Sequence, residues 1–566
     1  MKKFRWQLLI IFVTGLVVGI LLLGEQPQPA SPSATPVPVK GGVYTEALVG
    51  SLQRLNPLMV TNNAPDREIS RLVFSGLLDF DSNGVPQPDL AESWGYSKDG
   101  TLYTFTLRKN AKWHDGEPVT ADDVVFTVDL MRKGGSVIPA DVQDFWKDVE
   151  AVRLSDKVVQ FRLPESFAPF PDYLTFGILP RHILQGKTID QIVDMNFNIQ
   201  PVGSGPYRFD RLITENNAIK GVVLATNPDY YGQKKPYIDE IVFRFYPDTQ
   251  SAYQAYRDGQ VQGIGSVTPD ILRKVLAEPK LQIFTAREPQ LTLVLFNLKS
   301  QDAPFLQEAD VRRALLSGLN RQGIIDRYLK GQAVVADGPI LPGTWAYYSG
   351  LKQVSFDPEA AKNLLKNAGY VLASDTDLVR KKGDVALRLQ LSYPDDDSHK
   401  TIAEAIQRNW TALGVEVTLE PVSYDSLLKD RLDKRDYQAA LIDLNLSRSP
   451  DPDPYPFWDQ AQATEGQNYT QWDNRIASEY LEQARVTVDL QARAKYYQNF
   501  QILFAQELPA LPLFYPVYTY AVDQEVQGVR IGPLFDTADR FSNVTDWFLA
   551  GKATKTEGLA APAGKP

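Results

Sequence analysis

The chain holds 566 residues with a net charge of −10 and no cysteine. That length exceeds what one hydrophobic core can serve, so roughly two or three structural units are expected. Without thiols there are no disulfides, thiolate metal sites or cysteine nucleophile; three histidines speak against a histidine-rich metal centre, and the lack of a long basic block speaks against nucleic acid.

In chain order, Lys2, Lys3 and Arg5 precede an uncharged, mostly apolar run over 6–24, about long enough to cross a bilayer as a helix. The basic residues should stay inside, which places the rest of the chain outside the cytoplasm. Candidate cleavage positions have Gln28 or Pro32 where a small residue is wanted, so an uncleaved anchor over 1–25 is expected rather than a removed signal peptide. Residues 26–40, with Pro27, Pro29, Pro32, Pro36 and Pro38, read as a stiff extended spacer, and 551–566 as a frayed tail.

The most informative stretch is 102–131. Tyr103, Phe105 and Leu107 alternate with Thr104, Thr106 and Arg108, the period of a half-buried strand. Asp115 and Gly116 form a turn, Thr120 caps a helix, Asp122 and Asp123 suit its positive end, and Val124, Val125, Val128 and Met131 form its apolar face. Trp113, His114 and Asp115 contain a His-Asp pair of catalytic type, but a packed indole and a turn account for them. Further along, Asp310 caps a helix through Val311, Ala314, Leu315 and Leu319, while Asp357 and Pro358 open another that buries Ala361, Leu364, Leu365 and Ala368 before Gly369. A helix over about 400–413, with Ile402, Ala405, Ile406 and Trp410, hands over at Gly414 to a strand through Val415, Val417 and Leu419. Strands and helices mixed without a short repeat argue for an α/β body of several sheets.

Enzyme motifs are lacking. Gly203-Ser204-Gly205 is not a nucleophile elbow, no His-Glu-x-x-His occurs, and Arg181 stands where a phosphate loop ending at Gly186-Lys187-Thr188 needs glycine. The prolines interleaved with Asp451 and Asp453 do not suit a calcium loop.

The 102–131 stretch resembles the extracytoplasmic solute-binding proteins of family 5, the peptide and nickel receptors of ABC importers. Pro201-Val202-Gly203-Ser204-Gly205-Pro206-Tyr207, Asn227-Pro228-Asp229-Tyr230-Tyr231, Phe296-Asn297, the helices opened at Asp310 and Asp357, and Asn468-Tyr469 with Trp472 are similar to further family landmarks. The resemblance implies a large, type II (cluster C) periplasmic-binding-protein-like α/β fold: lobe I over 41–80, 201–285 and 505–550, an inserted domain over 81–200, lobe III over 286–504, and a hinge that closes over ligand. It also implies a receptor without covalent chemistry or cofactor, monomeric, that delivers a peptide or similar small solute to an ABC permease. Oligosaccharides, opines and metal chelates are the rival ligands within this fold, and a secreted hydrolase is the rival of another class.

Carried over position by position, the resemblance implies ligand contacts from Tyr44, Glu46 and Leu48 on the first strand, and from Asn297, Tyr393, Asn445, Ser447, Arg448, Asp451, Asp453, Tyr469 and Trp472. Asp451-Pro452-Asp453 resembles the element that in dipeptide-binding relatives follows an amine-holding carboxylate, yet Asn445, Leu446, Ser447 and Arg448 replace the Trp and Asp expected upstream. The earlier loop, Tyr393-Pro394-Asp395-Asp396-Asp397, has acids and no carboxylate-holding arginine. A receptor that is not a strict dipeptide binder is therefore expected, with Arg448 a candidate partner for a ligand carboxylate through its forked guanidinium.

Overall fold

A computed structural model describes residues 37–374, 376–447 and 450–550. The anchor expected over 1–25, most of the spacer, Arg448 and the tail lie outside them. Among the described residues no helix is long and apolar enough to cross a membrane.

The first strand, β1 (Val43–Val49), leads to α1 (Ala64–Val73). Next come β2 (Ala91–Tyr96), β3 (Leu102–Leu107), α2 (Ala121–Lys133), β4 (Glu150–Ser155) and β5 (Val158–Arg162), whose strands form an antiparallel sheet in the order β2-β3-β5-β4. On β3 every second residue is buried, as its alternation predicts. Thr120 caps α2, with its N–H donating to the Asp123 carboxylate at 2.8 Å. Thr127, rather than Val125, lies on the buried face of α2, because its hydroxyl is satisfied between the Asp123 carbonyl and the Leu179 N–H. The expected turn closes through the Gly116 N–H on the Trp113 carbonyl, with Gly116 at φ 97°.

His114 is part of that scaffold. Its Nδ1 accepts the Gly203 N–H at 3.1 Å and its Nε2 faces the Gly205 carbonyl at 3.2 Å, a pair of partners that requires the neutral ring protonated at Nε2. Burial holds its pKa down at about 4. Above pH 6.5 this costs nothing; as pH falls from there toward 4 the unfolded chain takes up the proton first, so stability is lost. We expect the wild type to lose about 2–3 kcal/mol more than His114→Gln between pH 7.5 and 4.5, read by denaturant unfolding of both proteins at both pH values.

The remaining sheet-forming strands are β6 (Tyr207–Glu215), β7 (Ala218–Thr226), β8 (Glu240–Tyr246), β9 (Gly263–Ile264), β10 (Leu281–Arg287) and β11 (Gln290–Phe296). Helices α3 (Ala309–Ser317) and α4 (Pro358–Asn367) follow, then β12 (Arg388–Pro394), α5 (Asp397–Thr411), β13 (Glu416–Val422) and β14 (Ala439–Asn445). The last long elements are α6 (Arg475–Val486), α7 (Leu490–Glu507) and β15 (Ala510–Asp523). Asp357 caps α4 through the Ala360 N–H, as expected. Glu308, not Asp310, is the N-cap residue of α3, which places Asp310 in the first turn where its charge still suits the dipole.

With a short strand at Ala333–Val335, these make one mixed, twelve-stranded sheet in the order β13-β12-β14-β11-β15-β9-β1-β8-β7-β6, with β10 and the Ala333–Val335 strand also on β15. It is continuous only because β15 is shared. Its first half pairs with β11, from Leu295 opposite Ala510, and its second half with β10, from Arg287 opposite Val517. The chain passes between the two halves at Glu288 and Pro289 and again at Pro516 and Val517. There the Glu288 N–H donates to the Pro516 carbonyl at 2.8 Å, and the two prolines supply no ladder N–H. The return to lobe I expected at 505 thus falls later, in mid-strand at Pro516 and Val517, and 505–516 stay with lobe III because Ala510 to Phe514 pair with β11.

The apolar packing divides along the same line. One cluster joins Tyr44 and Leu48 of β1 to Tyr103, Phe105, Trp113 and Val128 of the inserted domain, so lobe I and that domain form a single body. Lobe III keeps its own cores on the two faces of its sheet: Val294 and Phe296 of β11 pack with Trp410 on one, Leu291 and Leu293 with Trp458 and Phe504 on the other. Two lobes with separate cores, joined by two strands, are the architecture of a hinge.

Candidate ligand-binding cleft

Antiparallel β11 and β14 place Gln290 opposite Asn445 and Phe296 opposite Ala439, while β12 runs parallel to β14. The carboxyl ends of β12 and β14 therefore meet the hinge, and the far end of β11 lies roughly 20 Å away at about 3.3 Å per residue. This separates the expected contacts into three groups.

Tyr393, Asn445, Ser447, Asp451 and Asp453 lie at the hinge end. Asn445 accepts the Ser447 N–H at 2.8 Å and so shapes the loop leaving β14. Asp451 is ion-paired with Arg493 and accepts the Tyr497 hydroxyl at 2.9 Å, while Asp453 takes Arg485 on both carboxylate oxygens, Nη2 at 2.7 Å and Nε at 2.9 Å. Both acids of the Asp-Pro-Asp element thus have cationic partners within lobe III. Tyr393 is buried in the lobe III core. The acids after it serve α5 and its surroundings: Asp396 caps the helix at the His399 N–H, and His399 bridges Asp396 (2.6 Å) and Asp443 (3.2 Å). Burial opposes charging of His399, but the two carboxylates outweigh it and hold its pKa above the ordinary value.

Asn297, Tyr469 and Trp472 collect at the opposite end of lobe III. Asn297 donates to the Arg435 and Tyr437 carbonyls at 2.8 and 3.1 Å, Tyr469 lies under the Arg435 guanidinium at 4.9 Å, and buried Trp472 donates to Glu507 at 2.6 Å. They brace a loop there, and the length of β11 keeps them from the hinge.

Tyr44, Glu46 and Leu48 are core residues. β1 is an interior strand, paired on both edges by β8 and β9, and separate core clusters cover its two faces, one holding Tyr44 and Leu48 and the other Ala47. Glu46 forms an ion pair with Arg540 and accepts the Tyr44 and Tyr520 hydroxyls at 2.5 and 2.9 Å; Arg540 also pairs with Glu68 of α1 at 2.7 Å.

What faces the hinge end of lobe III from across the gap was not legible in the sequence. The 337–345 segment and the loop after β14 meet the body at Asn83, whose carbonyl accepts the Trp345 N–H at 2.9 Å, and at Phe535. Between them remains a cavity of about 20 Å³ walled by Leu341, Thr344, Leu446, Pro450, Pro452 and Phe535. That is room for about one water, so at this contact the two units touch and a solute enters only as they part. A wider open groove of about 500 Å³, at Arg54 and 193–199, is lined by the body alone.

Hinge, paired lobes and a cleft between them define a binding protein that closes around its ligand. The sequence profile of the bacterial extracellular solute-binding proteins, family 5 (middle region), matches residues 85–467. The chain is 26% identical over 537 residues to the dipeptide-binding protein of Escherichia coli K12, covering 91% of this chain and 96% of that one. It is 26% identical over 520 residues to the oligopeptide-binding protein AppA of Bacillus subtilis 168, covering 91% and 92%. The structure of Bacillus subtilis AppA in complex with a nonapeptide matches it with a TM-score of 0.65 at 25% identity, over 91% of this chain and 100% of that one. In fold it is also similar to HbpA2 of Haemophilus parasuis, with a TM-score of 0.78 at 24% identity over 90% and 100%. The chain belongs to the family 5 extracellular solute-binding proteins. These relatives are named as binding proteins rather than enzymes.

Proposed function

We propose that this protein captures peptides outside the cytoplasm and delivers them to an ABC permease, held to the membrane by an uncleaved anchor over 1–25 and a proline-rich spacer. The observation that carries the reading is the full-length likeness, both lobes included, to a receptor solved around a nonapeptide. Binding then shifts an open–closed equilibrium, and only contacts made in the closed form drive that shift. We place the ligand at the hinge end, against the loop leaving β14 that carries Asn445, Ser447 and Arg448. Asp451 and Asp453 are already neutralised by Arg493 and Arg485, which favours the neighbouring Arg448 as the charged ligand group and a terminal carboxylate as its partner.

Native mass spectrometry of the purified soluble body, followed by calorimetric titration with the peptides recovered, tests this. Arg448→Ala is expected to weaken binding roughly tenfold or more, since a charge-assisted bond contributes about 1.5–3 kcal/mol, with no change in unfolding temperature. Absence of any peptide from the bound fraction, together with no heat on titration with a mixed oligopeptide pool, would overturn the reading.

A further inference from the structure

Lobe I and the inserted domain share one core, and lobe III has its own, so hinge opening must separate the inserted domain from lobe III. The contact that would break is built from residues 166–172. The Ala168 N–H donates to the Arg485 carbonyl at 2.6 Å, and the Ser166 hydroxyl to the Val486 carbonyl at 3.2 Å. Arg493 donates back to the Ala168 carbonyl at 3.3 Å, and Arg485 lies 5.4 Å over the Phe167 ring. At the centre, the buried Asp172 carboxylate accepts the Asp451 N–H at 2.8 Å. These contacts use the same two arginines that neutralise Asp451 and Asp453.

We propose that residues 166–172 of the inserted domain form a latch that holds lobe III closed without any ligand, with the Asp172 carboxyl as its adjustable contact. A buried carboxylate held by backbone N–H groups, its own and that of Asp451, with no side-chain donor among the described residues, is satisfied only in part, and it becomes better matched when it carries a proton. The groups around it are Arg493 and Tyr497 of α7, Arg485 of α6, Asp451 and Asp453 of the loop, and Tyr173 and Tyr103 of its own domain. Burial pushes Asp172 up to about 7, with Arg493 pulling it down and Asp453 adding to the rise. Opening exposes the group and returns it to the ordinary carboxylate range, so closure takes up a proton. The closed form is therefore favoured as pH falls from 8 toward 5, and the advantage is lost as pH rises through 7.

The test needs no ligand, so its outcome is independent of which solute is carried. The chain has no cysteine, so a dye pair placed through Lys187→Cys and Glu465→Cys reports the distance between the inserted domain and lobe III by single-molecule energy transfer. Protein freed of solute, as checked by native mass spectrometry, is compared with its Asp172→Ala and Asp172→Asn variants at pH 8 and pH 5. In the wild type the closed-to-open ratio is expected to rise by up to about a hundredfold between these pH values. Asp172→Ala lowers the ratio on the order of tenfold at pH 5, whereas Asp172→Asn, which accepts the Asp451 N–H without charge, stays closed and is flat with pH. The Asn variant keeps the test valid should the Ala variant fold poorly. A wild type insensitive to pH, a pH response that survives in Asp172→Asn, or an unchanged distance in a folded Asp172→Ala overturns the latch.

Discussion

Replacing Arg540 with methionine is expected to destabilise the protein by about 3–5 kcal/mol, because it leaves two carboxylates buried with no cation. Arg540 is fully buried, its Nη2 is shared by Glu46 of β1 and Glu68 of α1, and its guanidinium lies 4.1 Å over Phe541. Methionine fills a similar volume and keeps contact with the aromatic ring, so the loss is electrostatic. Burial already raises the pKa of Glu68 against the pull of Arg540; without the arginine the main opposition to that rise is gone. Adding Glu46→Gln and Glu68→Gln to Arg540→Met should recover much of the lost stability, since removing every member of a buried ionic group costs far less than removing one. Urea unfolding at pH 7 measures both. A second readout asks whether β1 contributes to the cleft: Glu46→Gln that remains folded and binds peptide with unchanged affinity leaves Glu46 in the scaffold, while a large loss of affinity in the folded variant would return it to the site.

Glu46 also shows where sequence reasoning stops. Periodicity and capping locate elements well: the alternation of β3, the Thr120 and Asp357 caps and the Gly116 turn all lie where local chemistry places them. Those signals are local. Beyond Tyr44 on its own strand, the partners of Glu46 lie at 520 and 540, and nothing within β1 reports that it is paired on both edges. The same holds for Asp172 with Asp451, almost three hundred residues apart, and for Arg485 and Arg493, which sit in unremarkable helical sequence yet neutralise the Asp-Pro-Asp element. Family resemblance gave the lobes and the hinge. It could not say which of its landmark positions this chain uses as braces, as Asn297 and Trp472 are.

The separation of the cores leads to the second large effect. Trp410 of α5 is fully buried in lobe III, its ring lies 6.3 Å from that of Phe296, and its Nε1 donates to the Leu315 carbonyl at 3.0 Å. Trp410→Ala should cost about 3–5 kcal/mol from the cavity alone. The loss adds to an unpaired carbonyl on α3. That loss falls in a core which does not merge with the body's, and the surface between the two units is bridged chiefly by polar contacts such as Asn83 with Trp345 and Asp172 with Asp451. Polar interfaces of this kind couple domains weakly, so two calorimetric transitions are expected. Trp410→Ala should lower the one that belongs to lobe III, and Arg540→Met the one that belongs to the body, each leaving the other nearly in place. If instead both variants lower one common transition by the same amount, lobe III and the body unfold as a unit. The hinge at Glu288 and Pro516 would then not divide the molecule energetically, and closure would have to be sought in smaller loop movements around Phe535 and the strand end at Asn445.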